Sequence, residues 1–162
     1  NSIELARVVD RGLRSAEILD FDKLCLISGS KVYMVFVDIY VLSYDGNLFD
    51  AAALAAMAAL QTAKKPVHTV KGSVIKLTKK TQALKLRKHP LSVTLAKIGD
   101  SFLVDPTADE EEVLDARLTV TFDEDDNICT IQKGGADGIT PEELRGALEV
   151  AVAKAAELRK YL

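Results

Sequence analysis

Four short β-type runs follow one another between residues 91 and 133, and a strong helix start comes directly after them. Residues 91–97 and 101–105 flank Gly99-Asp100, and residues 114–122 and 128–133 flank the acidic turn from Asp123 to Asn127. Short β-branched runs bounded by Gly, Asp and Asn read as strands. Thr140-Pro141-Glu142-Glu143 then gives a cap residue, a proline at the first helical position and acids in the first turn. That combination starts a helix, here running to about residue 160. A meander followed by a helix buries its apolar side against helices, so the order predicts an α+β fold with sheets covered by helices on one face.

Upstream the pattern differs. Leu5, Val8, Val9, Leu13 and Ala16 recur at helical spacing, which predicts a helix over 2–18 with Ser2 as its N-cap. Residues 31–43 (KVYMVFVDIYVLS) predict one long strand, and Tyr44-Asp45-Gly46-Asn47 a turn. Residues 49–62 predict a second helix, with Asp50 near its start, where an acid suits the dipole. Its seven alanines allow close approach to a sheet or another helix. Residues 64–90 read as an irregular basic connection with one short strand near 70–77, ended by His89-Pro90. The boundary falls near residue 88, which divides the chain into 1–88 (helix–strand–helix plus basic linker) and 89–162 (meander plus C-terminal helix).

Composition limits the class. The 162 residues are 48% hydrophobic and 28% charged, with a net charge of −3, which excludes a disordered chain, a fibrous repeat and a disulfide scaffold. No apolar run reaches the ~18 residues of a membrane span. No leader pattern is visible, and Cys25 and Cys129 lie apart without metal-ligand spacing, so two reduced, buried thiols in a cytoplasmic protein are expected. The helical pattern begins at the first residues, from which a missing N-terminal part is expected.

The small net charge hides a segregation. Residues 64–88 hold nine Lys/Arg and no acid, whereas residues 100–126 hold eleven acids and one base, Arg117. This fits polyanion binding or docking of one subunit on another, against a plain solvated basic loop. On the first helix Glu4, Arg7, Arg11 and Arg14 share one face. Such a stripe offers several guanidinium forks to a phosphate backbone, or else pairs with Glu4, Asp10 and Glu17. Asp38 is the one charge in the long apolar strand, a site residue or a group at a polar subunit interface. Asp109 and Asp115, six apart, could hold a divalent cation or do acid work, although Asp109-Glu110-Glu111-Glu112 also reads as an exposed acidic turn. Nucleotide-loop, GxSxG and HExxH signatures are absent, the glycine-rich stretch 134–138 lacks the Lys and Ser/Thr of a nucleotide loop, and His68 and His89 have no acid near them in sequence.

The first helix, VFVDIYVLSYDGNLFDAAALAA (35–56) and HPLSVTLAKIGDSFLVDPTADEEEVLDARLTV (89–120) resemble the RNase PH family, and within it the non-catalytic ring subunits of archaeal exosomes. The resemblance covers nearly the whole chain and implies an RNase PH-like fold (ribosomal protein S5 domain 2-like), with roughly a hundred preceding residues absent here. It implies a hexameric ring of three heterodimers, a catalytic RNase PH-like partner, RNA-binding cap proteins and single-stranded RNA as ligand. The ring would shorten RNA from the 3′ end, with phosphate as the attacking group and nucleoside diphosphates as product. Catalytic members carry Gly-Thr-Arg after the Asp-Gly turn, where this chain has Asn47-Leu48-Phe49; paired arginines before the first helix are Asn1 and Ser2 here, and a Gly-Lys-x-Asp-Gly loop is altered to residues 96–101.

The resemblance therefore implies no catalytic residues, no metal and no cofactor in this chain; phosphate and Mg²⁺ would act in the partner. Asp109 and Asp115 match the carboxylate pair of active members and are expected to be structural or relic. Arg7 and Arg11 match positions that grip the RNA backbone. The alternatives are a chain that is itself a phosphorolytic 3′-to-5′ exoribonuclease using Asp109 and Asp115, and an α/β interaction module with no RNA role.

Overall fold

The computed structural model describes residues 2–72 and 74–162. The elements run α1 (Ser2–Ser15), β1 (Cys25–Ile27), β2 (Lys31–Val32), α2 (Leu48–Thr62), β3 (Lys64–Lys71), β4 (Val74–Ala83), β5 (Leu91–Ile98), β6 (Ser101–Val104), α3 (Ala108–Glu112), β7 (Ala116–Phe122), β8 (Ile128–Gly135) and α4 (Pro141–Leu158). The last four strands form an antiparallel sheet in the order β6-β5-β7-β8.

This sheet is covered on both faces, not one. Leu95 opposite Leu118 and Val93 opposite Val120 point to one side. There they meet Ala147, Ala151 and Ala155, which recur every fourth residue along α4 and are buried. The other face is short and polar. Ser92 lies opposite Thr121 and Thr94 opposite Thr119, each pair joined by a buried hydroxyl–hydroxyl hydrogen bond of 2.9 Å. Those pairs satisfy groups that are costly to bury alone, and they leave a low surface that α1 and the alanine-rich α2 can approach. Gly12 of α1 comes so close that an added Cβ would sit 3.2 Å from the Thr121 hydroxyl. Apolar side chains of α1 (Leu5, Val8, Val9) and α2 (Phe49, Ala52, Ala56) form a second core between the two helices. The start of α4 is a full capping box between Thr140 and Glu143, and the Glu143 carboxylate also pairs with Lys97 of β5 at 2.6 Å.

Several expectations from the sequence are corrected. Ser2 is the first residue of α1 rather than its cap, and Asn1 lies outside the described residues. The predicted strand 31–43 is regular only at Lys31–Val32, which pairs with β1. Beyond Val32 the alternation persists, but Met34, Phe36, Tyr40 and Leu42 stand in solvent and Asp38 is exposed. Among the described residues no strand lies beside 34–43; β-branched composition permits a strand, but the ladder makes one. The basic linker is no irregular connection: β3 and β4 form an antiparallel hairpin from the pair Lys64–Ala83 to the pair Lys71–Val74. Lysines and threonines on both strands mask the alternation, because neither face of the ribbon is buried. The acidic turn 109–112 is the helix α3, capped by Thr107 and Glu110. Both thiols are free, yet Cys25 is exposed and Cys129 is only partly buried, so neither is a core residue.

Candidate functional site

The α1 side of the sheet carries the candidate site. Gly134 and Gln132 of β8 lie opposite Arg117 and Thr119 of β7 and share the face on which α1 rests. The Glu4 carboxylate pairs with Arg117 Nη2. Two turns on, Arg11 Nη1 donates to Gln132 Oε1 at 2.6 Å. Arg7 lies between them on the same exposed face and makes no ion pair or hydrogen bond among the described residues. Arg7, Arg11, Ile3, Glu4, Val8 and Gln132 line an open groove of about 390 Å³. Arg14 is set apart from the stripe by an ion pair with Asp10, its Nε–H shared between the two carboxylate oxygens at 2.7 and 2.9 Å. The structure thus divides the four-residue stripe: Arg14 and Glu4 have partners of opposite charge, whereas among the described residues Arg7 has none and Arg11 meets only the neutral Gln132.

The turn before α2 is built differently. Gly46 has φ +93°, and a Cβ there would collide with the Pro106 carbonyl. Asn47 follows in the left-handed region, and α2 begins. Its backbone N–H donates to Glu111 Oε1 at 3.1 Å, and its side-chain amide donates to Asp50 at 2.9 Å and to Asp105 at 2.7 Å. The second Glu111 oxygen accepts from the Tyr44 hydroxyl; that bond raises the tyrosine pKa above its ordinary value, with desolvation adding to it. Helix N-termini attract anions, but here three protein carboxylates already stand at that end. Phe49 is buried in the first turn, with the Arg117 guanidinium 4.0 Å above its ring. A phosphate would meet Glu111, Asp50, Asp105 and an apolar ring in place of donors.

Asp50 does more than suit the helix dipole. It crosses to β5, where its two oxygens accept from the Thr94 backbone N–H at 2.7 Å and the Thr94 hydroxyl at 2.8 Å. Burial pushes its pKa up to about 6, with Asp105 adding to the rise and the Asn47 and Thr94 bonds opposing it. Asp115 accepts a hydrogen bond from the Gly99 N–H of the β5–β6 turn at 2.7 Å. Asp109 is exposed in the first turn of α3. No hydrogen bond or cation joins the two, and no group of three metal-ligating side chains occurs among the described residues.

Sequence reasoning missed Gln132, the pairing of Glu4 with Arg117 and the lid on Phe49. A signal existed for Arg117, the one base in the acidic stretch. None linked positions 11 and 132, which only sheet register brings together.

The geometry belongs to a known class. Residues 1–66 match the 3′ exoribonuclease family model for domain 1, and residues 88–154 match that for domain 2. The chain belongs to this family and has the RNase PH fold. It is 48% identical to the exosome complex component Rrp42 of Thermococcus gammatolerans and 43% identical to that of Methanothermobacter thermautotrophicus, over 99% of its own length and 60% of theirs. It thus spans less than two thirds of these relatives. Among solved structures it is similar to an archaeal exosome core (TM-score 0.89, 44% identity, 99% of this chain and 63% of that one). It is also similar to the Archaeoglobus fulgidus exosome with RNA bound to the active site (TM-score 0.87, 41% identity, 99% and 61%). No helix among the described residues is long and apolar enough to cross a membrane.

Proposed function

We propose that this chain is part of a non-catalytic subunit of an archaeal-type exosome ring, working in the cytoplasm. The subunit lends Arg7 and Arg11 to single-stranded RNA and completes the site of a catalytic RNase PH-like partner, beneath RNA-binding cap proteins. The partner performs phosphate-dependent 3′-to-5′ shortening and supplies the sites for phosphate and Mg²⁺. One observation carries this reading: Arg7 and Arg11, one turn apart on α1, line a groove with no counter-ion among the described residues, while the turn at Asn47–Phe49 is filled by protein carboxylates and an arginine-covered phenylalanine. Cations without an anion site of their own suit a chain that grips RNA for a neighbour. Asp115, engaged with Gly99, serves the turn and not a reacting phosphate. Likeness to Rrp42 proteins over 99% of the chain supports the same reading.

The test is an assay of the intact protein with RNA, phosphate and Mg²⁺, with and without the catalytic partner. Nucleoside diphosphates are expected only with the partner. Their release by this protein alone would establish the competing reading, a self-sufficient phosphorolytic enzyme.

A further inference from the structure

The β3–β4 hairpin carries a charge pattern that the α1 groove does not use. Its eight-residue strand β3 spans about 23 Å at roughly 3.3 Å per residue step. It is anchored at its base: Lys65 Nζ donates to the Lys23 carbonyl at 3.1 Å, Leu84 N–H donates to the Ala63 carbonyl at 2.8 Å, and the Leu84 side chain is buried. Beyond the base, β4 is exposed along nearly its whole length. Register places Lys76 opposite Thr69 and Lys71 opposite Val74. Lys80 follows along β4 in the bulge between the Pro66–Thr81 and His68–Leu77 pairs, where the register shifts. None of the Lys71, Lys76 and Lys80 ammonium groups has an ion pair or hydrogen bond among the described residues. Thr69 lies opposite Lys76 as a neutral donor, and Gln82 lies beyond Lys80, opposite Lys65.

We propose that this face of the hairpin is a second RNA-binding surface, one that holds the phosphate backbone and reads no bases. Three features favour RNA over an acidic protein surface. Lysine is depleted from protein–protein interfaces, and this face offers no arginine or aromatic anchor. Lysine, threonine and glutamine side chains are ordinary phosphate ligands. The obvious protein counterpart, the acidic stretch 100–126 of a neighbouring copy, is largely engaged within its own chain: Asp123 and Asp125 with Lys88, Glu124 with the His89 N–H, Glu111 with Asn47, and Asp105 with Asn47. With no aromatic on this face, bases have no platform to stack on, so binding is expected to be salt-sensitive and indifferent to sequence.

The choice of RNA among polyanions rests on the function proposed above, and the experiment separates the two. Binding of the intact protein to fluorescent oligouridylate and oligoadenylate is measured against salt for the wild type, for K71Q/K76Q/K80Q, for K71R/K76R/K80R and for R7A/R11A. The glutamine variant is expected to bind roughly tenfold more weakly at low salt. Its salt slope is expected to flatten by about 2, at about 0.7 per lost phosphate contact on a single strand. The arginine variant should keep wild-type affinity and slope. Equal losses on both oligonucleotides support a backbone site, whether or not R7A/R11A has an effect of its own. Unchanged affinity and slope in the glutamine variant would overturn the proposal. So would unchanged RNA binding with a salt-dependent change in native mass, which would make the hairpin a protein-docking arm.

Discussion

Arg117 holds its guanidinium 4.0 Å above the Phe49 ring and reaches past it to the carboxylate of Glu4. One side chain thereby ties together α1, the first turn of α2 and the start of β7, and it roofs the place where an anion would have to enter. Gly134 permits this, since a Cβ there would sit 2.8 Å from Arg117 Nη2. Replacing Arg117 with Met keeps a stem over the ring but leaves Glu4 unpaired. The expected loss is about 1–2 kcal/mol in urea unfolding. Gly134→Ala, which only displaces a flexible tip, should cost less. A Met variant as stable as wild type would show that the lid holds nothing in place.

Asp50 sets a pH dependence of known sign. Its folded pKa of about 6 lies above the unfolded value of 3.8, so the native state keeps this proton to higher pH. The contribution is complete below pH 3.8 and is lost as pH rises to about 6, roughly 3 kcal/mol in all at about 1.4 kcal/mol per unit. Asp123 acts in the opposite sense. The Lys88 hydrogen bond holds its carboxyl well below the usual range, so its contribution is present above pH 3.8 and is lost as pH falls. Urea unfolding of the wild type and of Asp50→Asn between pH 4 and 6.5 separates the two. The variant is expected to lack the fall in stability over that window, and parallel curves would contradict the assignment.

Gly46→Ala tests the turn that starts α2. The substitution forces a left-handed backbone on a residue with a Cβ and drives that Cβ into the Pro106 carbonyl. A loss of about 3 kcal/mol or more is expected in thermal or urea unfolding. A loss under about 1 kcal/mol would mean that the turn can open without disturbing α2.

What was legible in the sequence follows from how local each signal is. Helices α2 and α4 and the meander β5–β8 announce themselves through alanine spacing, the Thr140 capping box and turn residues, all contained within a few positions. Residues 34–43 carry a strand pattern, yet strand formation depends on a neighbour that local sequence does not specify. The basic hairpin was hidden for the opposite reason: its pairing is local, but exposed lysines leave no hydrophobic alternation to read. At the site, the stripe of Arg7 and Arg11 was visible from spacing. Its division was not, since Arg11 finds Gln132 and Glu4 finds Arg117 only through the way α1 lies across β7 and β8.

The account stands on Arg7 and Arg11 acting on RNA for a neighbouring active site. The direct measurement is RNA affinity against salt, with phosphorolysis alongside, for the assembled ring bearing Arg7→Ala/Arg11→Ala. The account predicts weaker binding, a salt slope flatter by about 1.4 for two lost phosphate contacts, and slower release of nucleoside diphosphates at limiting RNA. Unchanged affinity, slope and rate in a correctly assembled ring would contradict it.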